Sequence, residues 1–279
     1  METGMAAGGL DVRQPAVSGR FYPGRADELR AEVVKFLGGA ATGGGRRHVG
    51  VVAPHAGYVY SGPVAGKVFA DTIVPRRVIV LAPNHTGRGA RAAVWAKGAF
   101  ALPGDQVPVD EELTGRLLDA GAGVVADREA HRFEHALEVE LPFLRARNPD
   151  AIVTPLILGG LDGAECIALG KTLAAIVGAL DEEVLVVASS DMSHYLPDDV
   201  TRKIDRRAIE PMLACDPARL FDVVEREDIS MCGILPATTM LSYARARGAT
   251  RGTLVAYGTS GDAFGDTDRV VGYAGIAVD

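Results

Sequence analysis

The chain has 279 residues, of which 48% are hydrophobic and 23% are charged, so it can bury a sizeable core in one or two α/β domains. Its formal net charge of −7 argues against a general nucleic-acid-binding protein, which normally presents a basic surface. Three cysteines, at positions 166, 215 and 232, show no disulfide pattern and favour a reduced, cytoplasmic setting. No apolar run approaches the roughly 18 residues of a membrane span, and no signal peptide is evident.

Strands and helices are predicted to alternate along the chain. In chain order we expect a helix over 27–37, a strand over 49–54, a helix over 62–73, strands over 78–84 and 91–95, helices over 110–120 and 138–147, a strand over 151–158, a helix over 162–180, a strand over 184–190, two or three helices within 199–246, and strands over 252–257 and 270–278. Residues 1–12 are predicted to be a disordered tail, 38–47 a connector, and 13–279 a single domain. This alternation predicts an α/β fold with a largely parallel or mixed central sheet covered by helices on both faces.

Three of the apolar runs lead directly to a histidine. The run over 49–54 precedes His55, the run over 78–84 precedes His85, and the run over 184–190 precedes Asp191 and His194. Continuous aliphatic runs are typical of strands buried on both faces, and ligands bind beyond the carboxyl ends of such strands. Because imidazole is a common ligand of Zn, Cu, Fe and Ni, converging histidines indicate a metal site.

Each of these residues also has a structural interpretation. His55 and His85 alone could cap or pack, but both follow a strand and a proline and precede a glycine by two residues, and this repetition favours a shared site. Asp191 and His194 suit acid–base chemistry or support of a ligand; the alternative is a capping aspartate beside an incidental histidine. Cys232 alone would be a small buried side chain.

Residues 131–135 match the H-x-x-E-H pattern of inverted zinc peptidases. That pattern needs a long helix and a further acidic ligand, whereas Pro142 interrupts the helix predicted here. We therefore interpret the match as coincidental.

Six motifs together resemble the Memo family, also called the AmmeMemoRadiSam system protein B family. They are RQPAVSGRFYP (13–23), APHAGY (53–58), PNH (83–85), EHALE (134–138), SSDMSH (189–194) and MCG (231–233). The resemblance extends from about Arg13 to Val278. Each motif is weak alone, but all six in this order are specific.

The resemblance implies a fold similar to that of class III extradiol dioxygenases, which are non-haem iron enzymes. It places His55, His85 and Cys232 as metal ligands and His194, beside Asp191, as the acid–base catalyst. Fe(II) is the metal that it favours, with copper or zinc as alternatives. Ring-cleaving relatives have a carboxylate where this chain has Cys232, and a thiolate is a softer ligand that can itself be oxidised.

Four further residues belong to the same motifs. The resemblance places His135 and Glu138 near the site. Tyr58 and Asn84 are further candidates to contact substrate or support the ligands, although Tyr58 could equally pack beside the strand end.

Three functions remain open from the sequence. The first is a metal-dependent oxidoreductase, similar to a dioxygenase, that acts with O₂ on an unidentified small molecule. The second is a non-catalytic binding or adaptor protein that retains the pocket, as eukaryotic relatives are regarded as signalling mediators. The third is a zinc-dependent hydrolase. The family name further suggests radical SAM and AMMECR-type proteins as partners.

Overall fold

Four buried parallel strands form the centre of the fold in the computed structural model, which describes residues 11–39 and 44–279. All strands of the described residues, in chain order, are β1 (Val12–Arg13), β2 (Gly50–Ala53), β3 (Arg77–Pro83), β4 (Ala92–Val94), β5 (Ala99–Leu102), β6 (Asp105–Pro108), β7 (Val125–Ala126), β8 (Ile152–Leu158), β9 (Val184–Ser189), β10 (His194–Leu196), β11 (Gly252–Thr259) and β12 (Val270–Val278). The helices are α1 (Ala26–Phe36), α2 (Tyr58–Asp71), α3 (Glu111–Asp119), α4 (Glu129–Arg132), α5 (Leu141–Arg147), α6 (Gly163–Gly178), α7 (Asp198–Leu213), α8 (Pro217–Arg226), α9 (Ile234–Ala246) and α10 (Gly261–Phe264). A short 3-10 helix spans Glu138–Glu140.

The main sheet is mixed, which is one of the two arrangements that the sequence predicted. Its strand order is β10-β12-β2-β9-β3-β8-β4-β7, with β11 also paired to β12. The central strands β2, β9, β3 and β8 run parallel, whereas β12 is antiparallel to β2 and β4 is antiparallel to β8. The parallel centre brings the carboxyl ends of β2, β3 and β9 to one edge of the sheet.

Helices cover both faces of this sheet, as predicted. Alternate residues of a strand point to opposite faces. Val52 and Ile79 therefore pack with residues of α3, α6, α7, α8 and α9, while Val51 and Val80 pack with residues of α1, α2 and α5. The continuous apolar runs of the sequence reflect these two separate hydrophobic layers.

A second, three-stranded sheet was not predicted. Its order is β1-β5-β6, and β5 and β6 form a hairpin whose turn contains Gly104 at φ +75°. The strands have only two to four residues each, too few for a period-two pattern to stand out. Residues 1–10 of the predicted tail, and 40–43 of the predicted connector, lie outside the described residues, while Val12 belongs to β1.

Two helix boundaries decide the shape of the site. Helix α2 begins at Tyr58 rather than at residue 62, so only four residues separate it from β2. The region predicted to hold two or three helices contains α7, α8 and α9, and α9 begins immediately after Cys232 and Gly233. None of the helices described in the structure is long and apolar enough to cross a bilayer.

Candidate metal centre

The histidines that the sequence placed after strands do converge. His55 follows β2, His85 follows β3, and Asp191 follows β9. Because β2, β9 and β3 are parallel neighbours, with Ala53 paired to Ser189, the three following segments leave the same edge of the sheet. This edge is where parallel α/β proteins bind their ligands.

A third imidazole completes the group. One ligand atom from each of His55, His85 and His135 lies within 4.8 Å of those of the other two, so the three could hold one metal ion. The rings of His85 and His135 stack at 4.7 Å, and both stand roughly perpendicular to the ring of His55. His55 is buried, whereas the side chain of His85 is 32% exposed. The group is therefore reachable from solvent on the His85 side.

His55 is fixed at both its backbone and its ring. Its backbone N–H donates to Oδ1 of Asp191 at 2.8 Å, and its Nδ1 lies 2.8 Å from Oγ of Ser189. Burial, together with the neighbouring charges of His85 and His135, lowers the pKa of His55 well below its usual value. The imidazole is consequently neutral near pH 7, which is the form that binds metals.

Glu134 connects the other two histidines. Its carboxylate accepts from the backbone N–H of His85 at 2.6 Å and from that of His135 at 2.9 Å, and Nδ1 of His85 lies 2.9 Å from its Oε1. Burial alone would lower the pKa of His85, but the hydrogen bond and charge of Glu134 outweigh it and raise the pKa. A carboxylate on the second ring nitrogen is how proteins commonly orient a metal-binding histidine.

Cys232 lies against this group. Its Sγ is 3.2 Å from Nε2 of His55 and accepts from the backbone N–H of Asp191 at 3.3 Å. A Cβ on Gly233 would lie 2.5 Å from the carbonyl oxygen of Ser189, so only glycine allows α9 to bring Cys232 this close to β9. Burial raises the pKa of the Cys232 thiol well above its usual value. The sequence predicted Cys232 as the third ligand, whereas the group of three imidazoles is completed by His135. Cys232 therefore remains a prediction, as a fourth ligand.

Asp191 and His194 flank the same edge. Burial raises the pKa of the Asp191 carboxyl to about 6, although the backbone N–H of His55 and the charge of His194 act against that rise. Nδ1 of His194 lies 2.8 Å from the carbonyl oxygen of Ser230, and its backbone N–H donates to the Ser230 hydroxyl. Since a carbonyl can only accept, Nδ1 carries a hydrogen, which leaves Nε2 of the neutral ring free to take a proton.

The remaining predicted site residues support the surrounding segments. Tyr58 is buried and donates from its hydroxyl to the carbonyl of Val139. Asn84 donates to the carbonyl of Arg88 and so shapes the loop after His85. Glu138 is fully buried and accepts from Arg13, from the Tyr22 hydroxyl and from two backbone N–H groups at residues 16 and 17. Through these hydrogen bonds each side chain fixes a backbone segment near the histidines.

His131, the first residue of the H-x-x-E-H match, lies elsewhere. It is buried, and its Nε2 lies 3.0 Å from the carbonyl oxygen of Ala93. Its helix, α4, has only four residues, so the long helix of the peptidase pattern is missing here. His131 is therefore a core histidine, while His135 of the same match belongs to the metal group.

Sequence reasoning did not single out three residues of the site, Glu134, Ser189 and Glu140. Glu134 and Ser189 lie within two of the six motifs, which do not predict a role for either residue. The available signal was their position in the chain, since Glu134 immediately precedes His135 and Ser189 lies two residues before Asp191. Glu140 is fully buried, and its Oε1 lies 2.8 Å from Oγ of Ser189. No sequence motif around Glu140 predicts this contact.

Comparison with known proteins agrees with this architecture. Residues 13–277 match the family described as Memo-like protein. The chain belongs to the Memo family. A MEMO1 family protein of Methanopyrus kandleri is 38% identical over 277 residues, covering 95% of this chain and 98% of the relative. A MEMO1 family protein of Methanococcoides burtonii is 40% identical and covers 96% of this chain and all of the relative.

A further MEMO1 relative and a solved structure are also similar to this chain. A MEMO1 family protein of Aquifex aeolicus is 36% identical over 268 residues, covering 96% of this chain and 99% of the relative. The crystal structure of an uncharacterized protein from Escherichia coli K12 has a TM-score of 0.55 at 17% identity, covering 82% of this chain and 99% of that one. At this identity the likeness concerns the fold alone.

Proposed function

We propose that this Memo-family chain is a metal-dependent oxidoreductase that acts with O₂ on a small molecule, with Fe(II) as its preferred metal and copper as the alternative. The observation that carries the proposal is the convergence of three imidazoles, each offering a ligand atom within 4.8 Å of the other two. His55, His85 and His135 would hold the ion. The similarity to class III extradiol dioxygenases that the sequence resemblance implies supports the choice of iron and O₂.

The donor set fits such an ion. Imidazole suits Fe, Cu, Zn and Ni, and a site with three protein ligands keeps positions open for other molecules. Ser189 and Glu134 contact Nδ1 of His55 and of His85, so both rings would bind the ion through Nε2, which in His55 faces Sγ of Cys232 at 3.2 Å. When bound, the ion would supply Lewis acidity and, as Fe(II) or Cu(I), electrons for O₂.

The chain itself would move protons through His194. Nδ1 of His194 donates to the Ser230 carbonyl, which leaves the lone pair on Nε2 to accept a proton. The next residue, Tyr195, is exposed, so this segment lies at the surface. A general base needs a free lone pair within reach of the substrate. Asp191, buried at the same edge, would hold the His55 backbone and stabilise the protonated His194.

A zinc-dependent hydrolase is the second candidate. The three donors in the group are all imidazoles, without a carboxylate among them, and three histidines are also the donors of a catalytic zinc that activates water. The same residues would then support hydrolysis without oxygen consumption.

Metal content and oxygen uptake separate these functions. Protein purified without oxygen would be loaded with Fe(II) or Zn(II), analysed for bound metal, and then tested for O₂ uptake with a panel of catechols and for esterase and phosphatase turnover. We expect one iron per chain and substrate-dependent O₂ uptake. Turnover of esters with zinc alone would favour the hydrolase, and one bound metal without any turnover would favour the adaptor function. Failure to bind any transition metal would overturn both enzymatic proposals.

Two substitutions sharpen this experiment. His85→Ala removes a ligand whose side chain is 32% exposed and should abolish stoichiometric metal binding. His194→Ala leaves the three imidazoles in place, so it should retain the metal but lose turnover. The adaptor function instead predicts that His194→Ala has no effect on the protein's biological activity.

A further inference from the structure

Ser189 lies at the centre of a buried group of polar contacts beneath His55. Its Oγ is 2.8 Å from Nδ1 of His55, 2.7 Å from the carbonyl oxygen of Ala136, and 2.8 Å from Oε1 of Glu140. Ser189 and Glu140 are both fully buried. The group therefore links the end of β9 with the 3-10 helix that follows His135.

Counting hydrogens assigns the direction of all three contacts. A hydroxyl has one hydrogen to donate and two lone pairs to accept with, and a carbonyl oxygen can only accept. If all three contacts are hydrogen bonds, the Ser189 hydrogen points to Ala136, and both His55 Nδ1 and Glu140 must donate to Ser189. His55 is then the tautomer with hydrogen on Nδ1, and Glu140 is a protonated carboxylic acid.

The surroundings of Glu140 agree with a neutral carboxyl. Its second oxygen, Oε2, meets no donor among the described residues. An ionised carboxylate with an unpaired oxygen in an apolar interior is costly, and the group takes up a proton instead. Burial and the nearby charge of Asp191 raise the pKa of Glu140 well above its usual value.

We propose that Ser189 and the protonated carboxyl of Glu140 are positioning residues that fix the tautomer of His55, so that the Nε2 lone pair points toward the metal. The positioning role rests on the proposed function, because it matters only if a metal binds. The tautomer of His55 and the proton on Glu140 do not depend on the metal and can be measured in its absence. Neither residue would touch the substrate. Outer partners of this kind typically contribute 10- to 100-fold to metal affinity.

The tautomer can be measured in metal-free protein labelled with ¹⁵N-histidine. The ring nitrogen shifts and two-bond couplings of His55, assigned with His55→Gln, should show hydrogen on Nδ1. In Ser189→Ala the Nδ1 hydrogen loses its acceptor, so the population with hydrogen on Nε2 should rise and zinc affinity should fall by about 10- to 100-fold. Ser190→Ala is the matched control, because its hydroxyl bonds to Asp191 and Gly233 and to no imidazole. It should leave the His55 tautomer unchanged.

The proton on Glu140 has its own spectroscopic signature. A protonated carboxylic acid gives a carbonyl band in the infrared spectrum that a carboxylate lacks. This band should disappear in Glu140→Gln, while the His55 tautomer stays as in the unsubstituted protein, since an amide N–H can donate to Ser189 in the same place.

Several results would overturn the positioning role. One is hydrogen on Nε2 of His55 in the unsubstituted protein, and another is an infrared spectrum that loses no carboxylic acid band in Glu140→Gln. An unchanged tautomer in folded Ser189→Ala would do the same. Because these readouts need no metal, their failure is distinguishable from failure of the proposed function. A protein with the expected tautomer that binds no metal would contradict the metal centre but not the assignment of the His55 tautomer and of the proton on Glu140.

Discussion

Sγ of Cys232 lies 3.2 Å from Nε2 of His55, although 177 positions separate the two residues in the chain. Two ligands of one zinc ion, at about 2.0 Å for nitrogen and 2.3 Å for sulfur, lie roughly 3.5 Å apart at the tetrahedral angle. The observed separation is close to that value. The pair can therefore share an ion without rearrangement of β2 or α9.

We predict that Cys232→Ala weakens metal binding and changes the metal's spectrum. In the cobalt-loaded protein, an intense thiolate-to-metal charge-transfer band should be present and should vanish in the variant, because alanine offers no thiolate. Cys215→Ala is the control, since Cys215 is a buried core cysteine whose Sγ hydrogen-bonds to the Leu241 carbonyl rather than to an imidazole. A cobalt spectrum unaffected by Cys232→Ala would limit the ligands to the three histidines.

Glu134→Gln should weaken metal binding without unfolding the protein. The amide keeps the size of the carboxylate but not its charge, so it cannot raise the basicity of His85. It also has one oxygen instead of two, so it cannot accept from the backbone N–H groups of both His85 and His135 in the way that the carboxylate does. We expect metal affinity to fall by about 10- to 100-fold, measured by competition with a chromophoric chelator. Glu129→Gln, at an exposed position of the neighbouring helix α4, should not change affinity. Equal affinities for the two variants would contradict this role.

The sequence predicts those site residues that lie immediately after a strand in the chain. His55 and His85 could be placed because each follows an apolar run buried on both faces, and such runs in an α/β chain end at a shared edge. His135 follows no strand. It lies between α4 and the 3-10 helix, and its position depends on Glu134 and on the ring of Phe21, which lies 4.8 Å from it. Those are tertiary contacts that one sequence does not reveal.

The same reasoning explains which parts of the fold were missed. The central strands and the helices against them were predicted because their apolar runs are long. The sheet formed by β1, β5 and β6 was not, since its strands are short and are held partly by the buried pair of Arg13 and Glu138. Glu140 could not be recognised either, because its partner Ser189 lies 49 positions away.

Acid should destabilise the protein partly through His131. Burial lowers the pKa of this imidazole to about 4, against an ordinary value of 6.5, while the Ala93 carbonyl acts in the opposite direction. The unfolded chain therefore binds a proton that the folded chain does not, and the resulting loss of stability sets in below pH 6.5 and is complete near pH 4. The full effect is roughly 3 kcal/mol.

His131→Phe tests this contribution. Phenylalanine keeps a ring against Trp95 and Phe100 but cannot titrate. The free energy of unfolding, measured with urea at several pH values, should decline less steeply for the variant between pH 6.5 and 4. Parallel curves for the two proteins would show that His131 does not contribute to acid sensitivity.

Arg13→Met should be the most destabilising of the changes considered, because it leaves a buried carboxylate without its cation. Arg13 and Glu138 are both buried, and Arg13 also donates to the carbonyl oxygens of His131 and Glu134. Breaking a buried ion pair on one side typically costs about 3–5 kcal/mol, visible as a lower urea midpoint. Arg25→Met removes an arginine whose side chain is 70% exposed and paired with Asp27, so it should shift the midpoint far less. Similar midpoints for the two variants would mean that Glu138 is held by Tyr22 and the backbone N–H groups alone.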